Sequence, residues 1–416
     1  MPCIQICYIL VSNWCIWYIF KIFLVPSKRT KRQRCTLALS KKELSVAIYL
    51  DFSKAFDTVN HQILLKKLEA YGITNTGLNF FKTYLDSRSQ VVKYNDTISP
   101  IPQVVKHGVP QGSLLGPLLF SLYINDLHLS DPSGTFYQYA DDTAIIYTAN
   151  DAQALQTMID NSLPKITAWL TCNRLTINAK KTTYQLFSTQ TNHPNLSIKI
   201  NNHSIERQAK TKYLGIVIDD KFKWDCHIRN VENTISRNIG FISRARKFLK
   251  PDHLQMLYHS LIQSHFVYGI QIWGQTYPSR LERLKILQKK AVRIIDSADR
   301  LAPSSPIFRK YSIIKLHDLV KLFHMYVLNA FLNNSLPRPL ADKFLLAPQT
   351  RVRAVRHPRH FEVPFAPYMY RSFSLFLSAP KIWNTCLATK IRDIDDIPHS
   401  KAVFKKVVKK IFLDAY

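Results

Sequence analysis

Acidic residues are scarce in this 416-residue chain: 28 Asp and Glu stand against 57 Lys and Arg, a formal charge of +29 at pH 7. A chain so unbalanced repels itself at low salt. A polyanionic partner, nucleic acid first, is the economical explanation, and a basic composition without consequence is the plainer one. Glycine is sparse too, with 10 residues beside 21 prolines, which excludes collagen-like and Pro/Gly low-complexity sequence. The cysteines (Cys3, Cys7, Cys15, Cys35, Cys172, Cys226 and Cys386) are odd in number, irregularly spaced and without a C-x-x-C pair. That pattern excludes a disulfide framework and a zinc ribbon, so no zinc is expected. The thiols read as free and reduced, in a cytoplasmic or nuclear protein. No internal repeat is present. What remains is ordinary globular material: a hydrophobic fraction of 46% is enough to build cores and excludes a wholly disordered chain.

The one long apolar run is Ile4 to Val25, broken mainly by Gln5, Ser12, Asn13 and Lys21. As a helix it would reach about 33 Å, enough to cross a bilayer, with Lys28, Arg29, Lys31, Arg32 and Arg34 held on the cytoplasmic side. It reads either as a membrane contact through residues 4–25 or as sequence joined ahead of a truncated domain. Nothing in it resembles a secretory signal. Residues 1–44 are therefore set apart from the rest of the chain.

From Ser45 the texture changes. Val46, Ile48 and Leu50 alternate with Ala47, Tyr49 and Asp51, which predicts a strand. Asn60 caps a predicted helix to about Tyr71, with Gly72 as its stop, and another helix is expected from Gly77 to Leu85. Extended segments near 89–94 and 103–109 precede a turn at Pro110-Gln111-Gly112. Ser113 then caps an apolar helix to about Asp126. Strands Phe136–Ala140 and Thr143–Tyr147 meet at Asp141-Asp142. A helix over 151–173 and strands near 183–188, 197–200 and 213–218 come next. Helices interleaved with mostly antiparallel strands make an α+β arrangement. After Asp225, segments 226–249, 252–268 and 279–296 read as basic amphipathic helices. The last hundred residues hold a very basic stretch, Arg351 to His360, and a lysine-rich helix at 401–412.

Against this basic background the acidic groups stand out. Asp51 ends a strand, and Asp141 with Asp142 form a hairpin tip, positions that can converge in a sheet. Gathered carboxylates repel one another unless divalent cations lie between them, and hard cations take oxygen ligands while leaving room for phosphates. Taken singly, Asp-Asp in a hairpin is also an ordinary solvated turn.

The order of the segments adds more. Ala47-Ile48-Tyr49-Leu50-Asp51-Phe52-Ser53-Lys54-Ala55-Phe56-Asp57 resembles motif A of reverse transcriptases. The run from Gly108 through Pro110-Gln111-Gly112-Ser113 to Pro117 resembles motif B, and Tyr139-Ala140-Asp141-Asp142 motif C. Leu175 to Thr182 is similar to motif D, and Tyr213-Leu214-Gly215 to motif E. Phe56-Asp57-Thr58-Val59-Asn60-His61, Ile124-Asn125-Asp126-Leu127 and Pro380-Lys381-Ile382-Trp383-Asn384 give the non-LTR (LINE-type) retrotransposon flavour, over about 45 to 416. The resemblance implies RNA-directed DNA synthesis on an RNA template and a DNA primer, with dNTPs as substrates and two Mg²⁺ ions (or Mn²⁺) as cofactor. It implies a right-hand palm with residual fingers over 45–224, a helical thumb over 225–300 and a basic, mainly helical C-terminal region over 301–416.

Site roles come from the same resemblance. Asp51, Asp141 and Asp142 would hold the metals. Phe52, Phe56, Gln111, Gly112 and Lys181 would surround the nucleotide: Phe56 beneath the sugar, excluding a 2′-hydroxyl, and Lys181, or else Lys180, near the triphosphate. Tyr213, Leu214 and Gly215 would hold the primer end, and Arg229, Arg237, Arg244, Arg246 and Lys247 would track the backbone phosphates. The family's finger motifs have no visible counterpart ahead of Asp51, and neither do its endonuclease or zinc knuckle. The sequence therefore reads as an N-terminally truncated member. A catalytically silent nucleic-acid-binding remnant is the alternative.

Overall fold

Leu44–Leu50 forms β1, and all of it is buried although its sequence alternates. In the computed structural model, which describes residues 43–86, 88–188, 194–346, 361–363, 375–390 and 400–416, this strand lies at the centre of a five-stranded sheet. Chain order gives a 3-10 turn (Ala55–Asp57), α1 (His61–Ala70), α2 (Asn75–Leu85) and four two-residue strands, β2 (Ser89–Gln90), β3 (Lys93–Tyr94), β4 (Thr97–Ile98) and β5 (Gln103–Val104). Next come α3 (Leu115–Ile124), β6 (Thr135–Tyr139), β7 (Asp142–Ala149), α4 (Ala152–Cys172), β8 (Thr183–Phe187), β9 (Lys199–Ile200), β10 (His203–Ser204) and β11 (Glu206–Arg207). The sheet runs β11-β8-β1-β7-β6, antiparallel except for the β11–β8 pair.

Alternation in β1 still has a meaning. Val46 and Ile48 belong to the hydrophobic core with Leu155, Ile159 and Ile166 of α4. On the opposite face the Ser45 hydroxyl lies 3.0 Å from that of Thr148, and the Tyr49 hydroxyl donates to Gln185 Oε1 over 3.3 Å. Ser45 with Thr148 and Tyr49 with Gln185 thus satisfy one another on the buried side of β1. Local signals shaped the helices as expected. Asn60 Oδ1 accepts from the Ile63 amide over 3.1 Å, and the Ser113 hydroxyl accepts from the Gly116 amide over 2.9 Å. Lys67 of α1 reaches Asp126 Oδ1 at 2.6 Å and the Tyr123 carbonyl at 2.7 Å, which ties α1 to the end of α3.

The chain divides into two compact units, and this first one ends at Ala209. The hairpin expected to close the 45–224 segment therefore groups with the helices C-terminal to it. That hairpin is β12 (Lys210–Tyr213) and β13 (Ile216–Asp219). Behind it come α5 (Asp225–Ala245), α6 (Pro251–Tyr258), a π turn (His259–Gln263), α7 (Ser264–Val267), α8 (Ile270–Trp273) and α9 (Pro278–Ile295). The helix expected over 252–268 thus forms, with a π-helical segment, His259–Gln263, in its middle. The remaining helices are α10 (Ser304–Lys310), α11 (Leu316–Leu332), α12 (Arg338–Ala341), α13 (Leu375–Lys390) and α14 (Lys401–Leu413). Trp383 of α13 is fully buried, and the Asn384 amide exchanges hydrogen bonds of 3.0 and 2.9 Å with the Phe361 backbone. The Pro-Lys-Ile-Trp-Asn segment is thus a packing anchor. The 401–412 helix buries Phe404, Val408 and Phe412.

Residues 4–25 and the basic stretch 351–360 lie outside the described residues. No helix among the described residues is long and apolar enough to cross a membrane. Among them, Cys172 and Cys226 are free thiols.

Candidate active site

Leu50 of β1 pairs with Thr143 of β7, and the register places Asp51 and Asp142 one step further, at the same end of two neighbouring antiparallel strands. Residues facing each other across such a pair carry Cβ atoms about 5 Å apart on one face. Tyr139 pairs with Asp142, so Ala140 and Asp141 alone make the β6–β7 turn. Ala140 sits at φ 48°, a left-handed conformation that costs a residue with a Cβ about 1 kcal/mol. The three carboxylates thereby share one rim of the sheet. Partial burial, and then repulsion from Asp141 and Asp51, raise the Asp142 carboxyl above the usual carboxylate range. Among the described residues no group of three or more His, Cys, Asp or Glu side chains is placed to hold a metal ion, these three aspartates included.

Asp51 is fixed through its backbone. Its amide donates to Thr182 Oγ1 over 3.2 Å and its carbonyl accepts from the Asn178 amide over 2.8 Å. The Ser53 amide reaches the Thr176 carbonyl at 2.8 Å, and Phe52 bridges to Ile177. Residues 176–182 thus run beside the strand end, with Lys180 and Lys181 exposed on the adjoining turn. The clamp residues Asn178 and Thr182 were missed in the sequence, since nothing local marks a hydroxyl as the partner of an amide so far upstream. Phe52 needs correction: it is 7% exposed and part of the core, so only its backbone faces the rim. The bridge to Ile177 extends the sheet past Leu50 and turns its ring inward.

Phe56, in the 3-10 turn, is half-buried, with its ring 4.6 Å from that of Phe120. Over this turn lies the Gly108-Val109 backbone. The Val109 amide donates to the Phe56 carbonyl over 2.9 Å, and the Gly108 amide to the Val59 carbonyl over 2.8 Å. His61 Nε2–H donates to the Gly108 carbonyl over 2.7 Å. Gly108 has φ 88°, and a Cβ there would stand 2.9 Å from the Asp57 backbone, so the approach requires glycine. Beyond it, Gln111 Nε2 donates to Asp57 Oδ1 over 2.8 Å, and Gly112 takes φ 80°. Asp57 was not among the residues singled out from sequence.

The remaining expected site residues belong to the second unit. Leu214 and Gly215 form the two-residue turn between β12 and β13 at φ 45° and 77°, and Tyr213 is buried at 5% exposure. The Tyr268 hydroxyl holds the Leu214 carbonyl at 2.6 Å. On α5 the inward face is Ile228, Val231, Ile235, Ile239 and Ile242, while Arg229, Arg237 and Arg244 recur along the exposed face. Arg246 and Lys247 lie just past the helix end, and both are exposed.

Comparison with known proteins agrees with the motif order. Residues 15–218 match the family described as reverse transcriptase (RNA-dependent DNA polymerase). The match starts within the 1–44 segment, which had been expected to lie apart from the polymerase fold. A probable RNA-directed DNA polymerase from transposon BS of Drosophila melanogaster is 30% identical over 68% of this chain and 32% of its own length. The RNA-directed DNA polymerase from mobile element jockey of the same organism is 30% identical over 78% of this chain and 37% of its own length. The chain thus spans about a third of the curated relatives it matches. Among solved structures, apo telomerase from Candida tropicalis aligns over 80% of this chain and 58% of its own, with 13% identity and a TM-score of 0.38. A likeness at that score adds nothing to the family match.

Proposed function

Since this chain belongs to the reverse transcriptase family of non-LTR retrotransposons, we propose that it copies an RNA template by adding dNTPs to a DNA primer. The observation that carries this reading is the shared sheet end of Asp51 and Asp142, with Asp141 at the adjoining turn and the Asp142 carboxyl raised by burial and its neighbours. Crowded like-charged oxygens fit divalent cations, so Asp51, Asp141 and Asp142 would hold two Mg²⁺ ions, with Mn²⁺ as a substitute. Bound there, the ions would acidify the primer 3′-hydroxyl and offset charge on the α-phosphate and the departing pyrophosphate.

The protein's own part is position. The β1–β7 register and the clamp from Asn178 and Thr182 keep the carboxylates of Asp51 and Asp142 on one rim. In this reading the first unit is the palm. Phe56, braced by Phe120, would lie under the sugar and leave no space for a 2′-hydroxyl. Gln111 and Gly112 would line the nucleotide, and Lys181 would approach its phosphates. The turn at Leu214-Gly215 would hold the primer end. The exposed arginines of α5 would follow the duplex backbone as a thumb, through contacts that salt weakens.

The test is primer extension by the full chain on a primed RNA in Mg²⁺. Incorporation that Asp141→Asn abolishes, with template binding kept, supports the reading; equal incorporation by the variant contradicts it. The exposed basic face of α5 also supports a second reading, a nucleic-acid-binding remnant without catalysis. That reading predicts salt-sensitive binding and no extension at any Mg²⁺ concentration.

A further inference from the structure

The geometry points to Asp57 as the positioning residue for Gln111: its carboxylate fixes the amide that faces the incoming nucleotide. The inference rests on the polymerase reading and deepens it. Two observations carry it. Gln111 Nε2 donates to Asp57 Oδ1 over 2.8 Å, so the amide nitrogen is turned to the carboxylate, while Oε1 and the second N–H remain to be offered elsewhere. Without that partner an exposed glutamine samples several rotamers, and its two amide faces exchange freely.

The backbones beneath the pair are already joined. The Val109 amide reaches the Phe56 carbonyl at 2.9 Å, and Gly108 lets its chain lie against Asp57, where a Cβ would come within 2.9 Å of the Asp57 Cα. Two side chains on anchored backbones lose little further freedom on bonding, and a charged acceptor strengthens the bond. The acceptor lies in the turn that also carries Phe56. One three-residue turn would then set both the ring beneath the sugar and the amide beside it. Since the amide touches substrate and not the reacting phosphorus, its loss weakens nucleotide binding more than the chemical step.

The experiment compares KM and kcat for a dNTP on a primed RNA template. It uses the full chain and its Asp57→Ala, Asp57→Asn, Gln111→Ala and Asp57→Ala/Gln111→Ala variants. Asp57→Ala and Gln111→Ala should each raise KM about tenfold with kcat within about threefold, and the double variant should be no worse than either. Asp57→Asn keeps an oxygen that accepts the same bond and should hold KM within about threefold. The bond between the two side chains is exposed, so the unfolding midpoint should not move. Additive losses, or an Asn variant as impaired as Ala, overturn the coupling. The Kd of the dNTP on a dideoxy-terminated primer gives the same comparison without turnover. A wild-type chain that extends nothing would thus contradict the polymerase reading, while the binding series still decides the coupling.

Discussion

The Tyr268 hydroxyl donates to the carbonyl oxygen of Leu214 over 2.6 Å, so one bond pins the tip of the β12–β13 hairpin in a backbone conformation that leucine rarely adopts. Trp273 Nε1–H in turn donates to the Tyr268 carbonyl over 2.7 Å. Tyr268→Phe should therefore cost about 1 kcal/mol and lower the thermal midpoint by a few degrees. Gly269→Ala should cost more, since its φ is 62° and a Cβ would meet Ile216 Cδ1 at 2.5 Å. Thermal unfolding of the two variants checks the ranking; equal midpoints with wild type would show that the tip is not held this way.

Acid should destabilise the second unit through buried imidazoles. Burial holds His227 and His324 at about 4, below their ordinary 6.5. His227 Nδ1 accepts from the Val217 amide, so it needs the neutral ring. The unfolded chain takes up protons through that interval and the folded chain does not. The stability gained from neutral imidazoles is therefore complete above about pH 6.5 and is lost as the pH falls toward 4, on the order of 3 kcal/mol for each ring. Urea midpoints between pH 7 and 4.5 should show the decline, and His227→Gln should reduce it by about half, leaving the share of His324. A pH-independent midpoint would contradict it.

Asp131 is fully buried ahead of β6, accepting from the Ser133 hydroxyl, the Ser133 and Gly134 amides and the Tyr147 hydroxyl. Burial alone would raise its carboxyl, but these donors outweigh it and hold the pKa below the usual range. Asp131→Ala leaves the donors unpaired in the core and should cost about 3 kcal/mol in a urea titration. A loss under about 0.5 kcal/mol would mean that water replaces the carboxylate.

Phe56 offers a readout in substrate choice. Phe56→Ala removes the ring braced on Phe120 and should raise the rNTP-to-dNTP ratio of kcat/KM by about tenfold or more. Loss of activity on both substrates without a change in that ratio would assign the ring to core packing.

How much the sequence discloses depends on the range of the interaction. The Asn60 cap rests on contacts a few residues apart, and the sequence exposes it; the β6–β7 hairpin is exposed too, but its turn falls at Ala140-Asp141, one residue before the expected Asp141-Asp142, because Asp142 already pairs with Tyr139. The Gln111–Asp57 bond, the Thr182 hydroxyl on the Asp51 amide and the Tyr268 clamp join positions that no periodic pattern connects. Phe52 misled for a related reason. The alternation stops at Asp51, yet the bridge to Ile177 carries the sheet onward and takes the ring into the core. The aspartates were legible only through the order of the motifs around them, because a carboxylate in a turn carries no mark of its partner.

The claim beneath all of this is that Asp51, Asp141 and Asp142 jointly hold divalent cations, and Mn²⁺ binding measured by electron paramagnetic resonance tests it most directly. With primed RNA and a dNTP present, the full chain should immobilise two Mn²⁺, and Asp51→Asn and Asp142→Asn should each release at least one. Retention of both ions by the variants, with wild-type affinity, would contradict the account.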